Sequence, residues 1–327
     1  VKRAGVEIKL NTALGKDFTV DSLMEKDGFN AVVLAIGAHS SRRLGVPGED
    51  LPGVIHGTVF LKDNALGNPP DVKGKKVAVV GGGNVAIDAA RTSLRLGAAE
   101  VHLVYRRTKA EMPANEEEVA AAEHEGIKFH YLTNPTRVVG NGKVAGIECL
   151  RQTLGEFEAS GRRKPVPIEG SNFVLDVDVV IPAIGQVPDQ RWMETVKSNG
   201  AIKVRRDGTF DVDKTLLTSR PGIFAAGDAV LGPATVVEAV AQGNQVAMAV
   251  NAYLQQGRQD GAEKLWDDYG TVELTYNLED FAEVKRAKMP EVPVSERTCN
   301  FCEVELGLSV GNAKAESKRC LRCDLEK

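Results

Sequence analysis

Aromatic residues make up only 5% of this 327-residue chain, histidine occurs five times, and cysteine also five times, with four of the cysteines inside the last 29 residues. Cysteines gathered at one end do not have the distribution of a secreted disulfide scaffold. No apolar run approaches the roughly 20 residues that span a bilayer, and the opening VKRAGVEIKL has no signal-peptide hydrophobic region. A net charge of −4 lacks the basic excess of a nucleic-acid footprint. The histidines, His39, His56, His102, His124 and His130, have no metal-ligand spacing, and no Ser-His-Asp constellation is called for. There is no internal repeat or low-complexity tract. What remains is the composition of a soluble globular protein, 43% hydrophobic and 26% charged, long enough for two domains with separate cores. The cytoplasm is its expected location.

The most informative phrase is VAVVGGGNVAIDAA at residues 77–90, followed by VHLVYRR at residues 101–107. The apolar run Val77 to Val80 predicts a buried strand, and Gly81, Gly83 and Ala86 fit the G-x-G-x-x-G/A turn of a dinucleotide-binding βαβ unit. In that turn the first glycine permits the reversal, and the second lets a pyrophosphate approach the backbone. The small third residue lets the helix pack closely. A helix over Asn84 to Leu96, with Gly97 just past its end, offers the N–H groups around Gly82, Asn84 and Val85 to phosphate. The strand Val101 to Tyr105 then ends in Arg106 and Arg107, where an NAD site carries an acidic residue for the ribose 2′-hydroxyl. Two guanidinium groups there predict a 2′-phosphate, hence NADP. Without a ligand, they would be a solvated pair at a strand end.

On either side lie two similar phrases, FNAVVLAIGA at residues 29–38 and DVVIPAIGQ at residues 178–186, each a strand running into a small-residue turn at Gly37 or Gly185. A short helix is expected over Thr19 to Lys26 and a first strand over Val6 to Leu10. TSRPGIFAAGDAV at residues 218–230 places Gly227 and Asp228 after another strand, where a carboxylate can accept a hydroxyl from a sugar alcohol or simply cap a turn. The next helix, opening at Ala234 to Val236, aims the backbone of Thr235, Val236 and Val237 at an anionic ring edge. Glu111 to Gly126 reads as a helix with a solvated acidic first turn. Cys149, on a strand after the Asn141-Gly142 turn, reads as a small buried hydrophobe.

The ordered phrases LAIGA, VVGGGNVAIDAARTSLRLGA, VYRR, EMPA, IPAIGQ and PGIFAAGD resemble the NADPH-dependent glutamate synthase small-subunit family of FAD-dependent pyridine nucleotide oxidoreductases, from residue 1 to about residue 257. The resemblance implies an α/β protein of two Rossmann-like, doubly wound, three-layer domains, the NADPH domain inserted in the FAD domain. It implies FAD-domain segments at 1–72 and 188–262, the NADPH domain at 73–187, and a C-terminal extension at 263–327. By the same resemblance Gly37 lies near FAD, Asp228 bonds its ribityl chain, and Thr235 to Val237 face the flavin ring. Hydride would pass directly between the cofactors, with no catalytic side chain. The family's FAD fingerprint would precede Val1. The chain is therefore expected to be an N-terminally incomplete piece, or to receive that strand from a partner chain.

Cys299-x-x-Cys302 and Cys320-x-x-Cys323, separated by seventeen residues, form a strong metal-site pattern. Four thiolates suit zinc and an iron–sulfur cluster comparably. A helix from about Ala313 would put Cys320 and Cys323 on one face. The tail reads as a separate appendage. The resemblance favours the cluster and an iron–sulfur or ferredoxin-like electron-transfer partner. The rival reading is a non-catalytic NADPH-binding subunit whose tail is stapled by zinc. Self-association is left open.

Overall fold

A computed structural model describes residues 2–158, 161–196, 201–256 and 285–319. In chain order its strands are β1 (Val32–Leu34), β2 (Ser40–Ser41), β3 (Lys76–Val80), β4 (Glu100–Val104), β5 (Lys128–His130), β6 (Thr133–Gly140), β7 (Val144–Phe157), β8 (Arg163–Pro167), β9 (Phe173–Leu175), β10 (Val179–Pro182), β11 (Gln186–Val187) and β12 (Ile223–Ala225). Its α-helices are α1 (Val20–Glu25), α2 (Gly57–Ala65), α3 (Asn84–Arg95), α4 (Glu116–His124), α5 (Asp228–Leu231), α6 (Val236–Gln256), α7 (Val294–Arg297) and α8 (Val310–Ser317). The chain forms two compact units and crosses between them after Ser40 and after Gly185. Among the described residues no helix is long and apolar enough to cross a membrane.

The central unit is built on a parallel sheet of order β10-β3-β4-β5. Val77 and Val79 enter one core with Ile87, Ala90, Leu103 and Val119, on the side of α3 and α4. Their neighbours Ala78 and Val80 enter a second core with Val138, Ile147 and Cys149. Burial on both faces explains why β3 reads as a continuous apolar run instead of an alternating one. The second face is covered by the antiparallel strands β6, β7 and β9, where a doubly wound domain would carry helices. Helix α3 starts after Gly83 and ends at Leu96, with Gly97 at φ +86° just past it, as the sequence predicts.

One boundary and one strand differ from the expectation. Residues 41–72 belong to the central unit and not to the flanking one. Gly53 to Ile55 run beside β10, the Ile55 N–H donating to the Val180 carbonyl at 2.9 Å and the Val180 N–H to Gly53 at 2.9 Å. The expected strand at Val6 to Leu10 is not formed. Val6, Ile8 and Leu10 are exposed and pair with no strand among the described residues.

The flanking unit pairs β1 with β12 in parallel, over a core of Val20, Leu34, Trp192, Phe210 and Ile223. Helix α1 is capped by Thr19, whose hydroxyl accepts the Ser22 N–H at 3.0 Å.

The described C-terminal residues pack on the central unit through a buried ion cluster, so they are not a separate appendage. Glu125, at the end of α4, has a fully buried side chain. It receives Arg91 Nη2 at 2.9 Å and Arg95 Nη1 at 2.9 Å from α3, and Arg297 Nε of α7 lies 3.3 Å from it. The Arg297 contact is an ion pair without hydrogen-bond geometry at Nε, and Arg297 also pairs with Glu291. Burial alone would raise the Glu125 carboxyl. The hydrogen bonds and charges of Arg91 and Arg95 outweigh it and hold the pKa below the usual glutamate value. A depressed folded-state pKa contributes stability above the unfolded value, about 4.3, and that contribution is lost as pH falls below it. Glu125→Gln should therefore lower stability by about 3–5 kcal/mol at neutral pH, and the difference from the parent should shrink below about pH 4, as read by denaturant titration.

Candidate functional site

The carboxyl ends of β3, β4 and β10 meet at the glycine turn. The Gly81 N–H donates to the Val104 carbonyl at 3.0 Å and the Ala183 N–H to the Val80 carbonyl at 2.7 Å. Gly81 has φ +149°, and a Cβ there would run into the Ala183 carbonyl, so both conformation and space demand glycine. A side chain at Gly82 would enter the Tyr105 ring, whose hydroxyl donates to the Glu111 carbonyl at 2.7 Å. Gly83 is different. Its backbone is extended, at φ −93° and ψ 177°, and a Cβ would meet only Pro113 Cγ at 3.9 Å. Nothing among the described residues requires glycine at 83.

No side chain caps α3, so the N–H groups of its first turn, at Asn84 and Val85, remain available to an anion. Asn84 Oδ1 accepts the Asn115 N–H at 3.1 Å, and the Ala114 N–H donates to the Gly82 carbonyl at 3.2 Å. The EMPA phrase thus packs against the turn and forms one wall beside it. On the other side the Gly185 carbonyl accepts the Arg42 N–H at 2.9 Å.

Arg106 and Arg107, adjacent in sequence, have opposite environments. Arg107 is 1% exposed; its Nε donates to the Arg163 carbonyl at 2.6 Å and its Nη2 to Glu158 Oε2 at 2.5 Å. Arg106 is exposed and makes no hydrogen bond or ion pair among the described residues. Desolvation, and next the neighbouring Arg107 charge, pull its pKa below the ordinary arginine value. The Glu158 carboxylate opposes that depression without outweighing it.

In the flanking unit Gly37 follows β1 and Gly227 follows β12, at the carboxyl ends of paired strands. The Gly227 N–H donates to Gln242 Oε1 at 2.7 Å. Asp228 opens α5, and its carboxylate makes no hydrogen bond among the described residues. Thr235 caps α6 with Glu238: the Thr235 N–H donates to Glu238 Oε2 at 2.8 Å, and the Glu238 N–H returns to Thr235 Oγ1 at 3.3 Å. Val236 and Val237, in the first turn, are 81% and 78% exposed. An apolar surface beside a helix N-terminus suits a flat ring with an electronegative edge.

Cys299 and Cys302 are exposed in a loop closed by antiparallel pairing of Glu291 with Glu305, with the Val292 N–H donating to Val304 at 2.9 Å. Helix α8 ends at Ser317. Cys320 and Cys323 lie outside the described residues. Among the described residues no group of three or more histidine, cysteine or acidic side chains could hold a metal. His102 Nδ1 and His130 Nε2 do meet, at 2.9 Å across β4 and β5, a contact that sequence spacing does not reveal. Cys149 is buried in β7 with its thiol pushed up to about 12 by burial, as befits an inert core residue.

A parallel sheet whose glycine turn opens an uncapped helix is the architecture of the dinucleotide-binding α/β proteins. The chain belongs to the pyridine nucleotide-disulphide oxidoreductase family, whose profile matches residues 2–243. It is 46% identical over 332 residues to the Moorella thermoacetica NADP(+)-dependent formate dehydrogenase subunit beta, an alignment covering 99% of this chain and 46% of that protein. It is 37% identical over 268 residues to the glutamate synthase (NADPH) small chain of Escherichia coli (strain K12), covering 77% of this chain and 56% of that one. The chain thus spans about half the length of the curated relatives it matches. The solved structure of Mycobacterium tuberculosis FprA in complex with NADPH shares the fold, with a TM-score of 0.63 and 22% identity over 76% of this chain and 69% of that one.

The two glycines should respond differently to alanine. Gly81→Ala should cost about 1–3 kcal/mol from backbone strain alone, whereas Gly83→Ala should unfold within about 0.5 kcal/mol of the parent. Chemical denaturation of both variants checks this.

Proposed function

We propose that the chain is a flavin-linked NADPH oxidoreductase module that exchanges electrons with an iron–sulfur partner. The observation that carries this reading is Arg106, exposed and without a hydrogen bond or ion pair among the described residues, at the end of β4 beside the Gly81 turn. In a dinucleotide-binding βαβ unit the strand after the fingerprint helix ends at the adenosine ribose, and there a guanidinium selects a 2′-phosphate as a carboxylate selects a hydroxyl. Gly83 and the N–H groups of Asn84 and Val85 would take the pyrophosphate, while Gly82 and Gly185 keep the cleft beside it free of side chains. The family membership and the names of the relatives, an NADP(+)-dependent formate dehydrogenase subunit and a glutamate synthase (NADPH) small chain, support the same cofactor.

For FAD, the flanking unit supplies Gly37 and Gly227 as close-approach points, Asp228 as acceptor for a ribityl hydroxyl, and the α6 N-terminus at Thr235, Val236 and Val237 for the ring edge. These residues fit the isoalloxazine and ribityl part of the cofactor. Bound there, FAD would supply the chemistry that links two-electron hydride exchange with a nicotinamide to one-electron exchange with an iron–sulfur partner, in either direction. No side chain of this chain is required as acid, base or nucleophile. The protein's part is to orient the two ring systems and exclude water.

The protein should purify yellow and bleach on anaerobic addition of NADPH. Arg106→Ala should weaken NADPH about tenfold or more while leaving NADH within twofold, as measured by the NADPH and NADH dependence of bleaching. Equal losses for both nucleotides would refute the cofactor assignment. A colourless protein that still binds NADPH would favour the non-catalytic reading, a nucleotide-binding subunit with a zinc-stapled tail.

The four C-terminal cysteines, in this reading, hold an iron–sulfur cluster that relays electrons. Cys299 and Cys302 are already presented on one closed loop, and the alignment with the formate dehydrogenase subunit takes in this segment. Anaerobically purified protein should contain iron and acid-labile sulfide that Cys299→Ser together with Cys302→Ser removes. One zinc per chain, lost from the same variant, would assign the site to structure and not to electron transfer.

A further inference from the structure

We propose that the 2′-phosphate subsite is completed by Arg162, and that Arg107, the obvious second arginine, is instead the clamp that brings Arg162 into place. This inference rests on the NADPH assignment and adds a specificity-determining residue to it.

Four arginines converge at this corner of the central unit: Arg106 and Arg107 after β4, Arg162 and Arg163 entering β8. Two of them are fully used by the protein. Arg107 bridges the hairpin between β7 and β8, holding the Glu158 carboxylate at 2.5 Å and the Arg163 carbonyl at 2.6 Å. Arg163 folds back across the same hairpin, its Nε donating to Gly155 at 3.1 Å and its Nη2 to Leu154 at 3.0 Å. The described residues of this hairpin are bonded to one another: the Glu158 N–H donates to the Arg162 carbonyl at 2.8 Å and the Gly161 N–H to the Glu158 carbonyl at 2.9 Å. Arg162 is therefore fixed at the backbone one residue from an atom bonded by Arg107.

The other two arginines are unused. Among the described residues neither the Arg106 nor the Arg162 guanidinium has a hydrogen bond or ion pair, and the Arg162 charge is close enough to contribute to the depression of the Arg106 pKa. One carboxylate, Glu158, is bonded among these four cations, and it is already committed to Arg107. The corner thus carries an excess of positive charge: the Glu158 carboxylate acts on Arg106 from a distance but is bonded to Arg107, and among the described residues neither Arg106 nor Arg162 has a bonded anion. A phosphate monoester, with nearly two negative charges and three acceptor oxygens at neutral pH, is the ligand chemistry that balances it. The two consecutive arginines differ in availability, because Arg107 is itself buried and already bonded to Glu158 and to the Arg163 carbonyl, whereas Arg106 is exposed.

The test is calorimetric binding of adenosine 2′,5′-bisphosphate and of AMP to the full-length protein, its Arg106→Ala, Arg162→Ala and Arg162→Lys variants, and Arg163→Ala. Arg162→Ala should weaken the bisphosphate about tenfold with AMP unchanged, the lysine variant should recover part of the loss, and Arg163→Ala should leave the bisphosphate-to-AMP ratio unaltered. If Arg106→Ala lowers that ratio and Arg162→Ala does not, the role of Arg162 is overturned while the NADPH assignment stands. If neither variant changes it, the NADPH assignment falls with it.

Discussion

The sheet of the central unit leaves its side chains no open face, and that constraint fixes where chemistry can happen. Val77 and Val79 are spent on the helical side, Ala78 and Val80 on the antiparallel side. The main-chain groups of β3 are taken by β4 and β10. Ligand-facing groups must therefore come from the turns at the carboxyl ends of these strands, where the Gly81 reversal, the uncapped start of α3 and the residues after β4 meet. The flanking unit repeats the arrangement on a smaller scale, with Gly37 and Gly227 following two paired strands.

Charge is distributed by the same economy. Where arginine is buried it is bonded: Arg107 to Glu158 and a carbonyl, Arg91 and Arg95 to Glu125, with Arg297 reaching the same carboxylate from the C-terminal segment. A buried cation without such partners would be strongly destabilising. Arg106 and Arg162 escape that requirement because they are not fully enclosed, and among the described residues neither has a bonded anion, which is why we assign them to a ligand. The Glu125 cluster has a second consequence. It ties the loop that bears Cys299 and Cys302 to α3 and α4, so that loop is part of the central unit.

Much of this was legible from residue order. The fingerprint at Gly81, Gly83 and Ala86 set the turn, the helix from Asn84 and its end before Gly97, because each depends on local sterics within a few residues. Long-range partners were not legible. Nothing near Arg107 distinguishes it from Arg106; the difference lies in Glu158, 51 residues away. Residues 41–72 read as part of the flanking domain because the fingerprint lies after them, yet they join the sheet edge at β10. The tail looked separate for want of any local sign that Arg297 inserts beside Glu125. At Val6 to Leu10 an alternating apolar pattern was present, but a strand also needs a partner edge, and none of the described strands provides one.

The ionisation of the bound nucleotide's 2′-phosphate tests the central claim most directly. Among the phosphorus atoms of NADPH it alone belongs to a monoester, and so it alone titrates, near pH 6 when free, with a change in its phosphorus resonance. Held by the arginine corner, it should remain dianionic well below pH 6 in the complex, its resonance moving only at more acid pH. A bound nucleotide whose 2′-phosphate titrates as it does in free solution would contradict the account.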